Sequence, residues 1–420
     1  MTHTHVIGAG LAGLAAALTL STAGRAVTLH EAGSVAGGRC RSYHDRELGL
    51  TVDNGNHLLL SGNKAAFAFI REIGSIDQFP LPRQPVFPFV DVMSGEHWAI
   101  RPNRGRFPWW IFARGRRVPE SRLTDYLSMA RIALIRDDTV VADAMRRGRL
   151  YWRLVDPLAV AALNTRSGAS LARLLGKVMR ETLLKGGRAC IPTFPRAGLS
   201  EALIDPALST LRSRGVEVRF NSRVAELIVE GDRITAFRVG DARTVLGPDD
   251  RLVLAVPPWV AETLLPGLVV PNEYESIVNL HFVADATPSK VVADAGFVGV
   301  LEGTAEWVFM KRGHVSVTIS AANRLVDDQP RDLAALTWPN VCLALGIPRR
   351  VGDDVPKFRV VKERRATFAA TATQELRRPA ARTRWTNLVL AGDWTATGLP
   401  ATIEGAIRSG RTAGRLLLTA

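Results

Sequence analysis

The sequence predicts an α/β protein, in which a Rossmann-type nucleotide-binding domain, discontinuous along the chain, is joined to a second domain of α+β character. Three observations predict this. A glycine-rich turn between an apolar strand and an apolar helix opens the chain, a second strand–turn–helix closes it, and further apolar strands return between them.

The opening element, residues 5–20 (HVIGAGLAGLAAALTL), reads as a strand, a tight turn and an amphipathic helix. Its turn, Gly8-Ala9-Gly10-Leu11-Ala12-Gly13, has G-x-G-x-x-G spacing. Gly8 permits the turn, Gly10 lets the backbone approach a pyrophosphate, and Gly13 lets the helix pack on the strand. The helix N-terminus offers unpaired amides and a partial positive charge to phosphate. A second strand, Ala26 to His30, ends in Glu31 and Ala32, and Glu31 lies 18 positions after Gly13. A carboxylate there accepts both hydroxyls of an adenosine ribose, and nothing basic replaces it to favour a 2′-phosphate. Gly37, Gly38 and Arg39 follow as a second glycine turn.

The closing element has a buried strand over 387–391, a turn at Gly392-Asp393-Trp394 and a helix over 402–414 (TIEGAIRSGRTAG). The element resembles the strand–turn–helix that closes a flavin site, which implies Asp393 at ribityl hydroxyls and the helix N-terminus at Thr402 and Ile403 by a flavin's pyrimidine edge. Glu404 reads as an ordinary first-turn helix acid. Between the two ends, Val216–Phe220, Ser222–Glu230 and Arg233–Val239 read as consecutive strands, with turns at Asn221-Ser222 and Gly231-Asp232. Residues 251–258 return a buried strand to the nucleotide domain. The expected division is 1–80, 200–260 and 376–420 for that domain, and 81–199 with 261–375 for the second.

Residues 53–63 (DNGNHLLLSGN) form the most distinctive internal segment. Asp53 and Asn54 are suited to fixing a loop through local side-chain bonds. Gly55, beside Asn56, permits close approach to a flat ring, and His57 is either an acid at that ring's edge or a structural hydrogen-bonder. The second domain reads as mainly helical after Ser121. Ahead of it, residues 106–117 (RFPWWIFARGRR) set four aromatics among arginines. They fit a membrane interface, with rings at headgroup depth and guanidinium groups on phosphates, or else line the core or a substrate cavity.

The formal net charge is +14, and residues 101–150 carry 12 Arg and no Lys against 5 acidic residues. Such a surface favours anionic partners, yet the basic residues do not interleave with any nucleic-acid reading module, so nucleic acid is not expected. A mean hydropathy of +0.07, with no run near the ~18 apolar residues a bilayer span needs, argues against a membrane-spanning chain. The N-terminus shows no secretory signal, and three cysteines fit neither a disulfide framework nor a metal site. The expected location is cytoplasmic, possible contact with the membrane face included.

The extended fingerprint resembles the FAD-binding flavoproteins of the amine oxidase, phytoene desaturase and protoporphyrinogen oxidase superfamily, whose GR2-like fold this chain is then expected to share. In that group the Gly-Gly-Arg turn lies near the pyrophosphate and flavin, Val224 matches the position whose backbone meets adenine, and Thr402 and Ile403 touch the isoalloxazine. The strings DNGNHLLLSGN and AGDWTATGLPATIEGA resemble more closely the squalene-associated FAD-dependent desaturase-like family, identified as the hydroxysqualene dehydroxylases of hopanoid biosynthesis. The resemblance implies an FAD enzyme that removes an allylic hydroxyl from a hydrophobic C30 isoprenoid to give squalene, with His57 the candidate acid. A single dinucleotide fingerprint implies an external electron donor. A carotenoid-type desaturase is the nearest rival, and a non-catalytic prenyl-lipid carrier of the same fold a distant one.

Overall fold

The computed structural model describes residues 2–350, 352 and 354–419. Five parallel strands build the first sheet: β1 (His3–Ile7), β2 (Ala26–His30), β3 (Glu217–Arg219), β4 (Arg251–Leu254) and β5 (Leu388–Leu390), in the spatial order β5-β4-β1-β2-β3. Both faces of a parallel sheet are covered, and β4 (RLVL) and β5 (LVL) read as apolar runs, whereas β1 and β2 also bury Thr4, His5, Thr28 and His30. Of the helices α1 (Leu11–Thr22), α2 (Lys64–Glu72) and α3 (Ile403–Leu418), α1 and α3 lie against the strands and α2 packs on α3. The expected amphipathic helix at α1 is instead buried almost all round, because α3 packs over the face that would otherwise meet water. Glycines make that approach possible. A Cβ on Gly410 would lie 2.0 Å from the Ala12 carbonyl oxygen, and one on Gly414 2.8 Å from Thr19 Cβ, while one on Gly13 would lie 1.8 Å from the Gly8 carbonyl oxygen in the opening turn.

The three strands expected after Val216 exist, but they do not share one meander. β3 joins the parallel sheet beside β2, Asn221 turns the chain in the left-handed region (φ 52°), and Val224–Glu230, Arg233–Val239 and Ala242–Val245 make a separate antiparallel sheet. Strand length decides this: three residues pair with β2 before the turn diverts the chain.

A seven-stranded sheet occupies the rest of the molecule. Its order is Phe358–Phe368, Tyr274–Phe282, His314–Ile319, Trp307–Lys311, Phe297–Leu301, Phe87–Asp91, His97–Ile100. Strands from both chain inserts meet in it through the parallel pair Gly299↔Phe89, Val300↔Val90 and Leu301↔Asp91. The helix Pro330–Leu345 packs one apolar cluster, around Trp338 and Val341, while the helices Asp156–Leu163 and Ala172–Glu181 help enclose another around Phe89, Phe297 and Trp307. Among the described residues no helix is long and apolar enough to cross a membrane.

Candidate active site

The glycine turns come together first. Gly8 adopts φ 104°, and its amide donates to the His30 carbonyl at 2.8 Å, which ties the turn to the end of β2. The Gly37 amide donates to the Ala9 carbonyl at 2.9 Å, so Gly37 and Gly38 lie against Ala9 and Gly10. Leu11 and Ala12 begin α1, whose N-cap Gly10 has no side-chain cap. Glu31 accepts the Ala9 amide on Oε2 (2.9 Å) and the Gly33 amide on Oε1 (2.8 Å). The carboxylate thus braces the loop and keeps a lone pair on each oxygen, with Ala32 beside it. The Ser222 amide donates to the Glu31 carbonyl at 2.8 Å, which brings Val224 to this end of the sheet.

The chain's last turn closes on the same place. Gly392 has φ 154°, and a Cβ there would meet the Trp394 indole at 2.3 Å. The Gly392 amide donates to Ser409 Oγ at 3.0 Å. Arg39 donates to Asp393 Oδ1 and to the Ala366 carbonyl, both at 2.6 Å, linking residues more than three hundred positions apart. Asp393 was expected to bond ribityl hydroxyls. One oxygen is taken by Arg39, and the other makes no hydrogen bond among the described residues. Thr402 is the N-cap of α3, accepting the Gly405 amide at 3.1 Å, and Ile403 is buried behind it.

The loop 53–57 spans the two sheets. Asn54 fixes it locally, accepting from the Arg41 amide (3.1 Å) and donating to the Arg39 carbonyl (2.8 Å). Asp53 was expected to act locally as well, but its reach is longer. It accepts Ser42 Oγ (2.6 Å), the Leu199 amide (2.8 Å) and Lys311 Nζ (3.3 Å), the last a buried ion pair to the seven-stranded sheet. Asn56 donates to Ser316 Oγ (2.7 Å) and Thr318 Oγ1 (3.0 Å), and Asn279 donates to the Asn54 carbonyl (3.2 Å). Asn56 Oδ1 and His281 Nε2 are buried with no partner in the protein, so this network still has polar atoms to offer a bound group. His57 Nε2 lies over Gly55, 3.7 Å from where a Cβ would stand. Burial holds the His57 imidazole below its usual pKa, against the opposing pull of Asp53 and the Arg39 carbonyl. The shift favours the neutral ring.

The sequence profile of the family described as "Flavin containing amine oxidoreductase" matches residues 11–418. A hydroxysqualene dehydroxylase of Zymomonas mobilis is 42% identical over 420 residues, all of both chains. One of Rhodopseudomonas palustris is 46% identical, over 99% of this chain and 98% of its own. The chain belongs to the flavin-containing amine oxidoreductases. An oxidoreductase from Methanosarcina mazei shares the fold, with a TM-score of 0.73 at 15% identity over 99% of this chain and 100% of its own. A flavin-containing amine oxidoreductase is an FAD-dependent oxidoreductase, and FAD is the cofactor.

The residues fit that cofactor. A Cβ on Gly10 would meet nothing within 4 Å, so the turn faces open space where a phosphate needs it, in front of uncapped α1 amides. The free oxygen of Asp393 and the remaining lone pairs of Glu31 suit sugar hydroxyls.

Several functional side chains escape sequence reasoning. Arg378, with a fully buried side chain, donates to the Asp393, Thr395 and Thr397 oxygens and pairs with Glu375, bracing the last turn. Lys311, Asn279, Ser316 and Thr318 lie on strands whose alternation does not reveal which face meets the loop. Glu404 is misread by sequence: it is 3% exposed and caps a different helix. It accepts the Ala65 (3.1 Å) and Ala66 (2.8 Å) amides at the start of α2 and pairs with Arg408 (2.7 Å).

Proposed function

We propose that this flavin-containing amine oxidoreductase removes the allylic hydroxyl of hydroxysqualene reductively and releases squalene. The observation that carries the reading is full-length identity of 42–46% to proteins named for that reaction. The balance is simple: one C–O bond breaks, one C–H bond forms, the hydroxyl leaves as water with a proton, and two electrons enter from a donor external to this chain. Reduced FAD, when bound, supplies the hydride.

What remains for the protein is positioning. Gly8, Ala9, Gly10, Leu11, Ala12 and Gly13 would hold the pyrophosphate, Glu31 and Ala32 the ribose, Val224 the adenine. Gly37, Gly38, Arg39, Gly392 and Asp393 would hold the ribityl chain, and Gly55, Asn56, His57, Thr402 and Ile403 the flavin ring. Hydroxide is a poor leaving group, so loss of the C–O bond needs hydrogen-bond donation to its oxygen. His57 is our candidate, and its one ring N–H serves that purpose when it turns from the Arg39 carbonyl to the substrate oxygen. Lys311 and Asp53 hold its loop against the second sheet. Exclusion of water matters equally, because an allylic cation is captured by any water present. The water-insoluble substrate is the reason to propose peripheral contact with a membrane.

The test is product analysis after anaerobic incubation of the FAD-loaded protein with a chemical reductant and hydroxysqualene. Squalene is the expected product. Recovery of unreacted hydroxysqualene, or of a product with added double bonds, overturns the assignment; the latter result is that of a desaturase.

A further inference from the structure

Six of the eighteen large apolar side chains left in water among the described residues fall between Phe107 and Leu134. Phe107 (70% exposed), Trp109 (47%) and Phe112 (59%) stand out from the turn around Trp109–Phe112, while Trp110 between them is buried. Phe107 and Phe112 stack at 6.4 Å, and the Arg116 guanidinium lies 4.6 Å over the Trp109 ring. Trp110 meets Tyr126 edge-on at 5.4 Å. That contact seats the aromatic turn on the helix Leu123–Arg131, whose outer side carries exposed Leu123 and Leu127 one turn apart, with exposed Leu134 just beyond. Two adjacent elements thus use one face for the core and present large apolar groups on the other. A monomeric protein rarely leaves such a patch without use.

The charges around the patch are unequal, with 12 Arg against 5 acidic residues over 101–150, Glu120 and Asp125 among the acids. Arg104, Arg106, Arg114, Arg116, Arg122 and Arg131 surround it, and among the described residues none forms an ion pair with a carboxylate. Elsewhere on this surface arginines do find acids, as Arg147 does with Asp143 and Arg149 with Glu120. Between Arg104, Arg106, Arg116, Asn103, Phe107 and Trp109 lies a hollow of about 490 Å³, walled by guanidinium groups and rings.

We infer that this surface docks on an anionic phospholipid bilayer. Aromatic rings sit at headgroup depth, unpaired guanidinium groups pair with lipid phosphates, and the outward leucines reach the acyl boundary. The alternative role for the aromatic segment, packing in the core, is met by Trp110 alone of its four aromatics. The surface is also wired to the site. Gly187 and Arg188 amides donate to the Asn103 and Arg104 carbonyls (3.0 and 3.2 Å), and the chain then runs through Ile191 to Thr193, which pair with Ser61, Leu60 and Leu59 beyond His57. A substrate held in the bilayer would enter beside the loop that needs it. The purpose of this surface rests on the isoprenoid reading above, though its geometry does not.

Vesicle flotation of the full-length FAD-loaded protein tests it. Binding is expected to vesicles of phosphatidylcholine mixed with phosphatidylglycerol and to be at least about tenfold weaker with phosphatidylcholine alone, and to fall as salt rises. The Arg106→Glu/Arg116→Glu pair and the Phe107→Ser/Phe112→Ser pair should each lower binding about tenfold or more, with FAD content and thermal midpoint unchanged. Equal binding to both vesicle types, or no binding, overturns the inference. Loss with the arginine pair but not the phenylalanine pair also overturns it, and points to an anionic polymer. Turnover of detergent-dispersed hydroxysqualene separates the two proposals. Squalene without vesicle binding sinks only the surface, and vesicle binding without squalene sinks only the reaction.

Discussion

Replacing Glu404 by alanine removes the N-terminal cap of a helix other than its own. The first turn of α2 has an asparagine, Asn63, where a cap is expected, but that side chain turns back to accept the Leu60 amide at 2.8 Å. Glu404 takes over from α3, accepting the two amides at Ala65 and Ala66. Charge-assisted hydrogen bonds of this kind are worth ~1.5–3 kcal/mol each, and the orphaned amides have no ready solvent. Arg408 would not be stranded, since it also pairs with Glu181 at 2.7 Å. The total cost is therefore ~3–5 kcal/mol. Unfolding entropy of ~2.1 cal/mol/K per residue makes a chain of 420 residues lose ~1 °C of thermal midpoint per kcal/mol. Glu404→Ala should lower the midpoint by ~3–5 °C at fixed FAD concentration, and Glu404→Gln, which keeps one acceptor, by about half of that. The exposed Glu201→Ala is the control and should move it by under ~0.5 °C. If Glu404→Ala behaves like that control, the cross-helix cap contributes nothing and the reasoning fails.

Other predictions follow from burial. His5 and His30, in contact at 3.2 Å, are each held down to about 4, chiefly by burial, so they are neutral when folded and charge on unfolding. Their contribution is present above pH 6.5 and is lost as pH falls toward 4. His5→Asn should flatten the fall of unfolding free energy over that window, measured by urea denaturation, by up to ~1.4 kcal/mol per pH unit, and parallel slopes would refute the assignment. Glu306 behaves in the opposite sense. Burial raises it to about 7, so its contribution is intact below pH 4.5 and is lost as pH rises through 7. Glu306→Gln should be more stable than the parent at pH 8 by ~1–3 kcal/mol and show no such gain at pH 4. The two fingerprint glycines should separate. Gly10→Ala meets open space and should fold normally while losing FAD absorbance, whereas Gly13→Ala, 1.8 Å from a carbonyl oxygen, should lower the midpoint even without FAD. Equal apo midpoints for the two variants would contradict this.

The flavin half of the site was legible because its requirements are local. A turn that approaches phosphate must have glycine at fixed offsets, and an acid that meets ribose must end the next strand, so Gly8, Gly10, Gly13 and Glu31 stand in a readable order. The bounds of β2 agreed with the sequence reading for the same reason. Sequence by itself also determined that a second glycine turn, at Gly392, answers the first. Tertiary structure alone decided who touches whom across the chain. Nothing near Arg39 names Asp393 as its partner, nothing near Asp53 names Lys311, and Glu404 looks like any helix acid until α2 arrives. The exposure of Phe107, Trp109 and Phe112 beside buried Trp110 belongs to the same class. Periodicity shows which residues share a face of one element, but a long-range contact depends on how separate elements pack, and that is settled only when the whole chain is folded.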